Sequence, residues 1–225
     1  MILVTGGAKK LGAAIVRALA REGEHCLIHY RTSQSEAEAL AQETGSEIIQ
    51  GDFSSLAGVE QFCKIFFSRF SSVRGIVHNV GNYEIAAPSA LHVQQWEALF
   101  QTNLLAPVAI TNALLPTMVR GAIVMIGATA LCPQRADSYS TAYTASKLAL
   151  WEYMRSLALE VAPRQINVNM VSPGYVVNSI DQSSKIPMGR AVSHAEVARS
   201  VAFFMNPQNV YITGQNLEIA GGTRL

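Results

Sequence analysis

The sequence predicts an α/β fold in which a parallel sheet of about seven strands is covered by helices on both faces. Short apolar runs alternate along the 225 residues with longer segments of helical periodicity. The apolar runs lack polar alternation, which is typical of parallel strands buried on both sides. We place strands near residues 1–5, 25–30, 46–51, 73–79, 121–127, 165–171 and 216–220. We place helices near residues 11–22, 34–44, 55–70, 92–118, 140–161 and 193–206.

The first strand is followed by a turn that contains glycine and then by a helix. Residues 1–5 form the strand, residues 6–12 the turn, and residues 13–20 have apolar side chains at helical spacing. Gly6 and Gly12 let a ligand approach the backbone, and the helix N-terminus presents free N–H groups to an anion. This order favours a nucleotide-phosphate site in a Rossmann-like, doubly wound sheet, although a purely structural turn remains the alternative.

The end of the second strand bears on which nucleotide is bound. His29-Tyr-Arg-Thr-Ser33 contains no acidic residue, and an acid here would take the ribose hydroxyls and repel a 2′-phosphate. Arg31 can pair with that phosphate, Ser33 can hydrogen-bond to it, and Lys10 adds a second cation. We therefore expect NADP(H) rather than NAD(H), with a solvated basic turn as the alternative.

The helix near residues 140–161 carries Tyr143 and Lys147, four residues apart. At this spacing the two side chains lie on one face of the helix, one turn apart. A neighbouring ammonium favours the phenolate and lowers the pKa of a phenol. The pair is therefore a candidate proton donor and acceptor for a carbonyl, imine or alcohol, although two unrelated surface residues would have the same spacing.

The sixth strand and the last helix are joined by a polar segment, residues 175–192. Ligands of open α/β sheets bind at the carboxyl ends of the strands, so this segment is the expected lid. The last helix should begin at Ser193, because Ser193 and Glu196 have the spacing of a capping box.

Composition excludes several classes of function. The net charge of +1 argues against nucleic-acid binding. Cys26, Cys63 and Cys132 lack metal-ligand spacing, and we expect no metal. An odd number of cysteines without a signal peptide suggests a reducing cytoplasm. The strand at Met1 leaves no room for a targeting peptide, and we identify no apolar run long enough to span a bilayer. We expect a single domain over residues 1–225.

The chain resembles the short-chain dehydrogenase/reductase family over essentially its whole length. Six segments carry the resemblance, in family order: Thr5–Gly12 for the Thr-Gly-x-x-x-Gly-x-Gly turn, His78–Gly81 for Asn-Asn-Ala-Gly, Asn103 for the helical asparagine, Tyr143 and Lys147 for Tyr-x-x-x-Lys, Pro173-Gly174 for the turn after the sixth strand, and Ile212–Gly214 with Gly221-Gly222 for the closing pattern. Lys10 departs from the pattern, because it replaces the middle glycine of the turn.

The resemblance implies hydride transfer between a nicotinamide and a carbonyl or imine, in an enzyme that is commonly a homotetramer. Tyr143 is then the proton donor, Lys147 lowers the pKa of Tyr143 and binds the nicotinamide ribose, and Asn103 helps to hold a proton-relay water. Asp52 holds the adenine amine, or alternatively caps the helix near residue 55. The expected NADP(H) contacts are Gly6, Lys10, Leu11, Gly12, Tyr30, Arg31, Thr32, Ser33, Asp52, Phe53, Asn79, Gly81, Tyr143, Lys147, Pro173 and Gly174.

One family position is not matched. The family's carbonyl-polarising serine lies just after the fifth strand, where this chain has Gly127-Ala-Thr129. The loop to Tyr143 is also about two residues longer than usual. Thr129 is the candidate replacement, and Asp137 lies further along the loop. The missing serine argues against ordinary ketone reduction.

Within the family, the pteridine reductases resemble this chain in the basic residue of the glycine turn and in His-Tyr-x-Arg/Ser after the second strand. They also lack the serine and use an aspartate, which is not evident at 128 or 129. Tyr83 matches their pterin-stacking aromatic, with core packing as the alternative, and Tyr175 is a second candidate for substrate contact. We therefore expect reduction of dihydropterin or dihydrofolate. The alternatives are a 3-oxoacyl-[acyl-carrier-protein] reductase, which residues 186–190 resemble, and a non-catalytic NADP-binding protein.

Overall fold

The architecture is described by a computed structural model for residues 1–129, 136, 138–177 and 186–223. Seven parallel strands form one sheet in the order β3-β2-β1-β4-β5-β6-β7. The strands are β1 (Ile2–Val4), β2 (Cys26–Tyr30), β3 (Glu47–Gln50), β4 (Gly75–His78), β5 (Gly121–Ile126), β6 (Ile166–Pro173) and β7 (Asn216–Ile219). The order reverses between β1 and β4, and ligands of doubly wound sheets bind at the carboxyl ends of the strands beside such a switch point. The predicted α/β fold class is confirmed.

The helices cover both faces of the sheet. They are α1 (Lys10–Arg21), α2 (Gln34–Thr44), α3 (Leu56–Arg69), α4 (Val93–Phe100), α5 (Ala106–Leu114), α6 (Thr141–Val161) and α7 (His194–Met205). Alternate strand residues supply two apolar cores: Leu3 packs with the α3, α5 and α6 side, whereas Ile2 and Val4 pack with the α1, α2 and α7 side. The predicted capping box is present, because Ser193 accepts the Glu196 N–H and Glu196 accepts from the Ser193 backbone.

The helix predicted over residues 92–118 is interrupted. Between α4 and α5 the chain forms a π-helical segment, Gln101–Leu105, and the Ala106 N–H donates to the carbonyl of Gln101. Pro107 explains the break, because proline has no N–H to donate and its ring crowds the carbonyl four residues earlier, that of Asn103. Single π turns of this kind are frequent at functional sites.

The same stretch, Val93–Thr117, is long and apolar enough to cross a membrane by length and composition alone. The expectation that no apolar run reaches this length is therefore wrong. Half of its most apolar window is buried inside the structure, and Ile110 and Leu114 lie in the core beside α3 and α6. We interpret the stretch as a core element of the sheet's helical layer.

Candidate active site and nucleotide cleft

A cleft of about 850 Å³ runs along the carboxyl edge of the sheet. At one end it is lined by the glycine turn and by the segments after β2 and β3, including Lys10, Arg31 and Asp52. At the other end it is lined by Tyr143 and by Tyr175, which follows β6. The cleft therefore joins the predicted phosphate turn to the predicted catalytic pair.

The glycine turn is held from two sides. On the β4 side, the Asn79 amide donates to the carbonyl oxygens of Thr5 and Gly6, both at 3.1 Å. On the β2 side, the Gly6 N–H donates to Nδ1 of His29 at 2.9 Å. Gly12 lies in the first turn of α1, which packs against the glycine turn. A Cβ placed on Gly12 would lie 2.0 Å from the Gly6 carbonyl oxygen. Only glycine allows this approach of the helix N-terminus to the turn.

Lys10 adopts a left-handed backbone conformation, with φ of +47°. This conformation is uncommon for a residue with a side chain, and it is found where the family pattern has its middle glycine. Lys10 lines the cleft, while its neighbour Lys9 pairs with Glu36 on α2 at 2.6 Å. Both lysines line the cleft, and Lys9 also ties the turn to α2.

Asp52 follows β3 and lines the cleft beside Phe53. Its Oδ1 accepts the Ser54 N–H at 2.9 Å, and hydrogen bonds from the backbone and side chain of Ser54 lower the pKa of Asp52. The cap of α3 is Ser55, which accepts the Gly58 N–H at 3.2 Å. The alternative in which Asp52 caps this helix is therefore wrong, and its carboxylate lies at the ligand cleft.

Lys147 is buried at the Tyr143 end of the cleft. Its Nζ donates to the carbonyl of Ile126, at the end of β5, at 2.8 Å. Burial lowers the pKa of Lys147 to about 8. A Cβ on Gly81 would lie 3.4 Å from this Nζ and 3.2 Å from Oδ1 of Asn103, so the segment after β4 packs closely against the lysine.

Tyr143 lies on α6 one turn before Lys147, and the lysine Nζ is 5.8 Å from the centroid of its ring. Burial, together with the nearby Tyr83, raises the pKa of Tyr143. The implied lowering of this pKa by Lys147 is therefore not found here, because Lys147 is turned to the Ile126 carbonyl and burial disfavours the phenolate. The phenol is protonated at neutral pH, which is the state that a proton donor needs.

Asn103 lies beneath the cleft in the π segment, and its side chain is fully buried. Its amide donates to the Asn82 carbonyl at 3.0 Å and to the Ser146 hydroxyl at 2.9 Å, and its Oδ1 accepts the Asn82 N–H at 2.8 Å. The side chain therefore fixes the segment after β4. Pro107 removes the usual helical donor to the backbone carbonyl of Asn103.

Some expected cofactor residues do not line the cleft. Tyr30 is buried in the core on the α1 and α2 side, because successive strand residues point to opposite faces of the sheet. Thr32 and Ser33, in the following turn, are also absent from the lining. His29 lines the cleft instead, and a histidine inside the otherwise apolar strand β2 is the signal that could have identified it. The other expected cofactor residues line the cleft: Gly6, Lys10, Leu11, Gly12, Arg31, Asp52, Phe53, Asn79, Gly81, Tyr143, Lys147, Pro173 and Gly174.

Small residues follow β5, where the family has its carbonyl-polarising serine. Ala128 and Thr129 both line the cleft, and the Thr129 N–H donates to the Pro173 carbonyl at 3.3 Å. Ser140, buried just before α6 and three residues before Tyr143, also lines it and was not anticipated. Asp137 and Cys132 lie outside the described residues, as does part of the expected lid.

The substrate end of the cleft is aromatic. The ring of Tyr83 contacts the ring of Tyr143 edge-on, with centroids 4.6 Å apart. Tyr139 and Tyr175 line the same region. Of the cleft-lining lysines, arginines and acids that the structure describes, only Lys147 lies outside the glycine turn and the segments after β2 and β3. Within the described residues, no three His, Cys, Asp or Glu side chains are grouped to hold a metal ion.

The fold, the glycine turn and the paired Tyr143 and Lys147 define an oxidoreductase of the short-chain dehydrogenase/reductase family, and the chain belongs to that family. Residues 6–224 match a family model described as enoyl-(acyl carrier protein) reductase. The chain is 31% identical to the uncharacterized oxidoreductase YmfI of Bacillus subtilis, over 98% of this chain and 97% of the relative. It is 28% identical to the 3-oxoacyl-[acyl-carrier-protein] reductase FabG of Staphylococcus epidermidis, over 98% and 97% of the two chains.

Solved structures agree in fold. A blue fluorescent protein from a metagenomic library, in complex with NADPH, superimposes with a TM-score of 0.91 at 28% identity, covering 100% of this chain and 97% of the other. Acetoin dehydrogenase from Enterobacter cloacae superimposes with a TM-score of 0.90 at 25% identity, covering 99% and 95%.

Proposed function

We propose that the protein is an NADPH-dependent reductase of dihydropterins, including dihydrofolate. The supporting observation is the aromatic substrate end of the cleft, where Tyr83 meets Tyr143 edge-on and Tyr139 and Tyr175 line the surrounding wall. Aromatic side chains of this kind favour a flat ring that can stack or make edge-to-face contacts. Among the described residues at the substrate end of the cleft, Lys147 is the only cation. Its Nζ already donates a hydrogen bond to the Ile126 carbonyl.

The residues that line the cleft fit a bound NADPH. There is no room for a Cβ on residue 12 beside the Gly6 carbonyl. Glycine at this position lets the N-terminus of α1 come close to the turn, where its free N–H groups can bind a diphosphate. Lys10 and Arg31 line the end where a 2′-phosphate would lie, and a structural relative was solved with NADPH. When bound, the nicotinamide supplies a hydride to the carbon of a C=N bond.

Tyr143 would donate its phenolic proton to the nitrogen of that bond, so that C=N becomes CH–NH. Lys147 would hold the nicotinamide ribose, and the Asn103 carbonyl would hold a water that returns a proton to Tyr143. An imine nitrogen is already basic and needs less polarisation than a ketone oxygen. The presence of Ala128 and Thr129, where the family has its serine, is consistent with such a substrate, with the Thr129 hydroxyl as an auxiliary donor.

Replacement of Arg31 by alanine is expected to weaken NADPH binding about 10- to 100-fold, because one charged hydrogen-bond partner of the 2′-phosphate is lost. Binding of NADH, which lacks this phosphate, is expected to change less than about 3-fold. Titration of the cofactor fluorescence measures both dissociation constants. Arg155→Ala, which removes an exposed arginine on α6, is the matched control. An equal loss for NADPH and NADH would contradict the assignment of Arg31.

The substrate proposal is tested by NADPH oxidation with 7,8-dihydrobiopterin, dihydrofolate and an acetoacetyl thioester in parallel. We expect turnover of the pterins, and Tyr83→Leu should lower kcat/KM for them about 10- to 100-fold, because the aromatic contact with the ring is lost. Tyr211→Leu is the control, since Tyr211 is fully exposed and does not line the cleft. Pterin turnover that is insensitive to Tyr83→Leu would remove Tyr83 from the substrate site.

A second candidate, reduction of 3-oxoacyl thioesters on an acyl carrier protein, is favoured by the FabG relatives, which match 98% of this chain. Turnover of the thioester alone would support this candidate over the pterin proposal. That result would leave open how the thioester's keto group is polarised without a serine beside Thr129. The non-catalytic alternative is disfavoured by family membership and by the buried, intact pair of Tyr143 and Lys147.

The roles assigned to the site residues remain predictions, and so do three broader expectations. These are the homotetramer implied by the family resemblance, the cytoplasmic location and the single domain over residues 1–225.

A further inference from the structure

His29, on β2, joins three segments of the chain beneath the glycine-turn end of the cleft. Its side chain is 2% exposed. Nδ1 accepts the Gly6 N–H at 2.9 Å, and Nε2 lies 3.1 Å from the carbonyl oxygen of Gly51, after β3. The backbone carbonyl of His29 also accepts the Gly7 N–H at 2.9 Å. One residue thus contacts both consecutive glycines of the turn and the loop that leads to Asp52.

The two side-chain bonds determine the tautomer of His29. A backbone N–H can only donate, so Nδ1 must be the unprotonated acceptor. A backbone carbonyl can only accept, so Nε2 must carry the hydrogen. Burial lowers the pKa of His29 to about 4, so the ring is neutral at physiological pH and both bonds are retained.

The imidazole also supports the wall of the cleft. Its ring lies parallel to that of Phe53, with centroids 4.1 Å apart and an interplanar angle of 7°. Phe62, from α3, contacts both rings edge-on. Phe53 follows Asp52, and both line the end of the cleft proposed for adenosine. His29 therefore contacts this wall and the glycine turn at the same time.

We propose that His29 is a positioning residue that couples the glycine turn to the Gly51–Phe53 wall, so that the diphosphate and adenosine parts of the cofactor are received in one fixed arrangement. This role rests on the proposed binding of NADPH. It does not involve the reacting atoms, which lie at the Tyr143 end. Loss of the coupling should therefore weaken binding of any ligand that carries the adenosine part, while proton delivery by Tyr143 is unchanged.

Three variants separate hydrogen bonding from packing. His29→Phe keeps an aromatic ring against Phe53 but removes both bonds, leaving the Gly6 N–H and the Gly51 carbonyl without this partner. We expect the dissociation constants of NADPH and of 2′,5′-ADP to rise by the same factor, about 10- to 100-fold. The kcat at saturating NADPH should change less than about 3-fold. His29→Asn can replace the Nδ1 acceptor and His29→Gln the Nε2 donor, so each should recover part of the affinity.

A measurement on the unaltered protein remains available if His29→Phe does not fold. Two histidine rings, His29 and His78, are buried, so their signals are first distinguished by through-bond assignment. Long-range ¹H–¹⁵N spectra of protein with ¹⁵N-labelled histidine should then show the His29 ring with Nε2 protonated and Nδ1 unprotonated at pH 7. The opposite tautomer would overturn the proposal, and so would a folded His29→Phe variant that binds NADPH and 2′,5′-ADP as the parent does. A parent protein that binds neither ligand would also overturn it. Absence of pterin turnover would contradict only the substrate proposal, because the binding measurements contain no substrate.

Discussion

Tyr143→Phe is expected to lower turnover about 10³-fold or more while NADPH still binds with a dissociation constant within about 3-fold of the parent. General acid catalysis typically contributes 10²–10⁴-fold, and phenylalanine removes only the hydroxyl that donates the proton. The aromatic ring remains, so the edge-on contact with Tyr83 can be retained. Because burial raises the pKa of Tyr143, the parent phenol carries its proton throughout the neutral pH range.

The measurements are initial rates of NADPH oxidation, with whichever compound of the substrate panel is turned over, and a fluorescence titration of NADPH. Tyr139→Phe is the matched control, since Tyr139 lines the same cleft but is 53% exposed. Its effect on kcat should be less than about 3-fold. Equal rates for Tyr143→Phe and the parent would refute the proton-donor assignment. Loss of NADPH binding would mean that the variant disturbs the cleft and not the chemistry alone.

Sequence periodicity was sufficient to predict the strands and most of the helices. Buried parallel strands are short apolar runs, which differ clearly from amphipathic helices. The π segment was missed although its cause, Pro107, is visible in the sequence. Proline inside a helical pattern predicts a kink but not which backbone hydrogen bonds rearrange. The segment places Asn103 where its side chain donates to Asn82 and Ser146.

The differences between the predicted site and the cleft have a common origin, which is that spacing along the chain does not report burial or the direction of a side chain. Tyr30 and His29 are adjacent, and the strand places only one of them at the cleft. Tyr143 and Lys147 have the spacing of an interacting pair, yet burial governs both groups, raising the pKa of the phenol and lowering that of the ammonium. Contacts across the sheet, such as that of His29 with Gly6 and Gly51, follow from the register of three strands.

Gly12→Ala is expected to abolish detectable NADPH binding and to lower the free energy of unfolding by several kcal/mol. The new Cβ would lie 2.0 Å from the Gly6 carbonyl oxygen and 2.9 Å from the Asn79 amide nitrogen. Neither neighbour can move freely, because Asn79 holds the Gly6 and Thr5 carbonyls. The N-terminus of α1 must therefore move away from the turn and carry its free N–H groups out of reach of the diphosphate.

Urea unfolding and NADPH titration measure the two effects separately. Gly45→Ala is the control, because a Cβ there meets nothing within 4 Å. Its φ of +66° is left-handed, so alanine there should cost about 1–2 kcal/mol of stability. NADPH binding should be unchanged. A folded Gly12→Ala protein with parental affinity for NADPH would show that α1 does not need this close approach to the turn. The glycine turn would then no longer support the placement of the diphosphate, and Lys10 and Arg31 would need a different ligand to explain their position in the cleft.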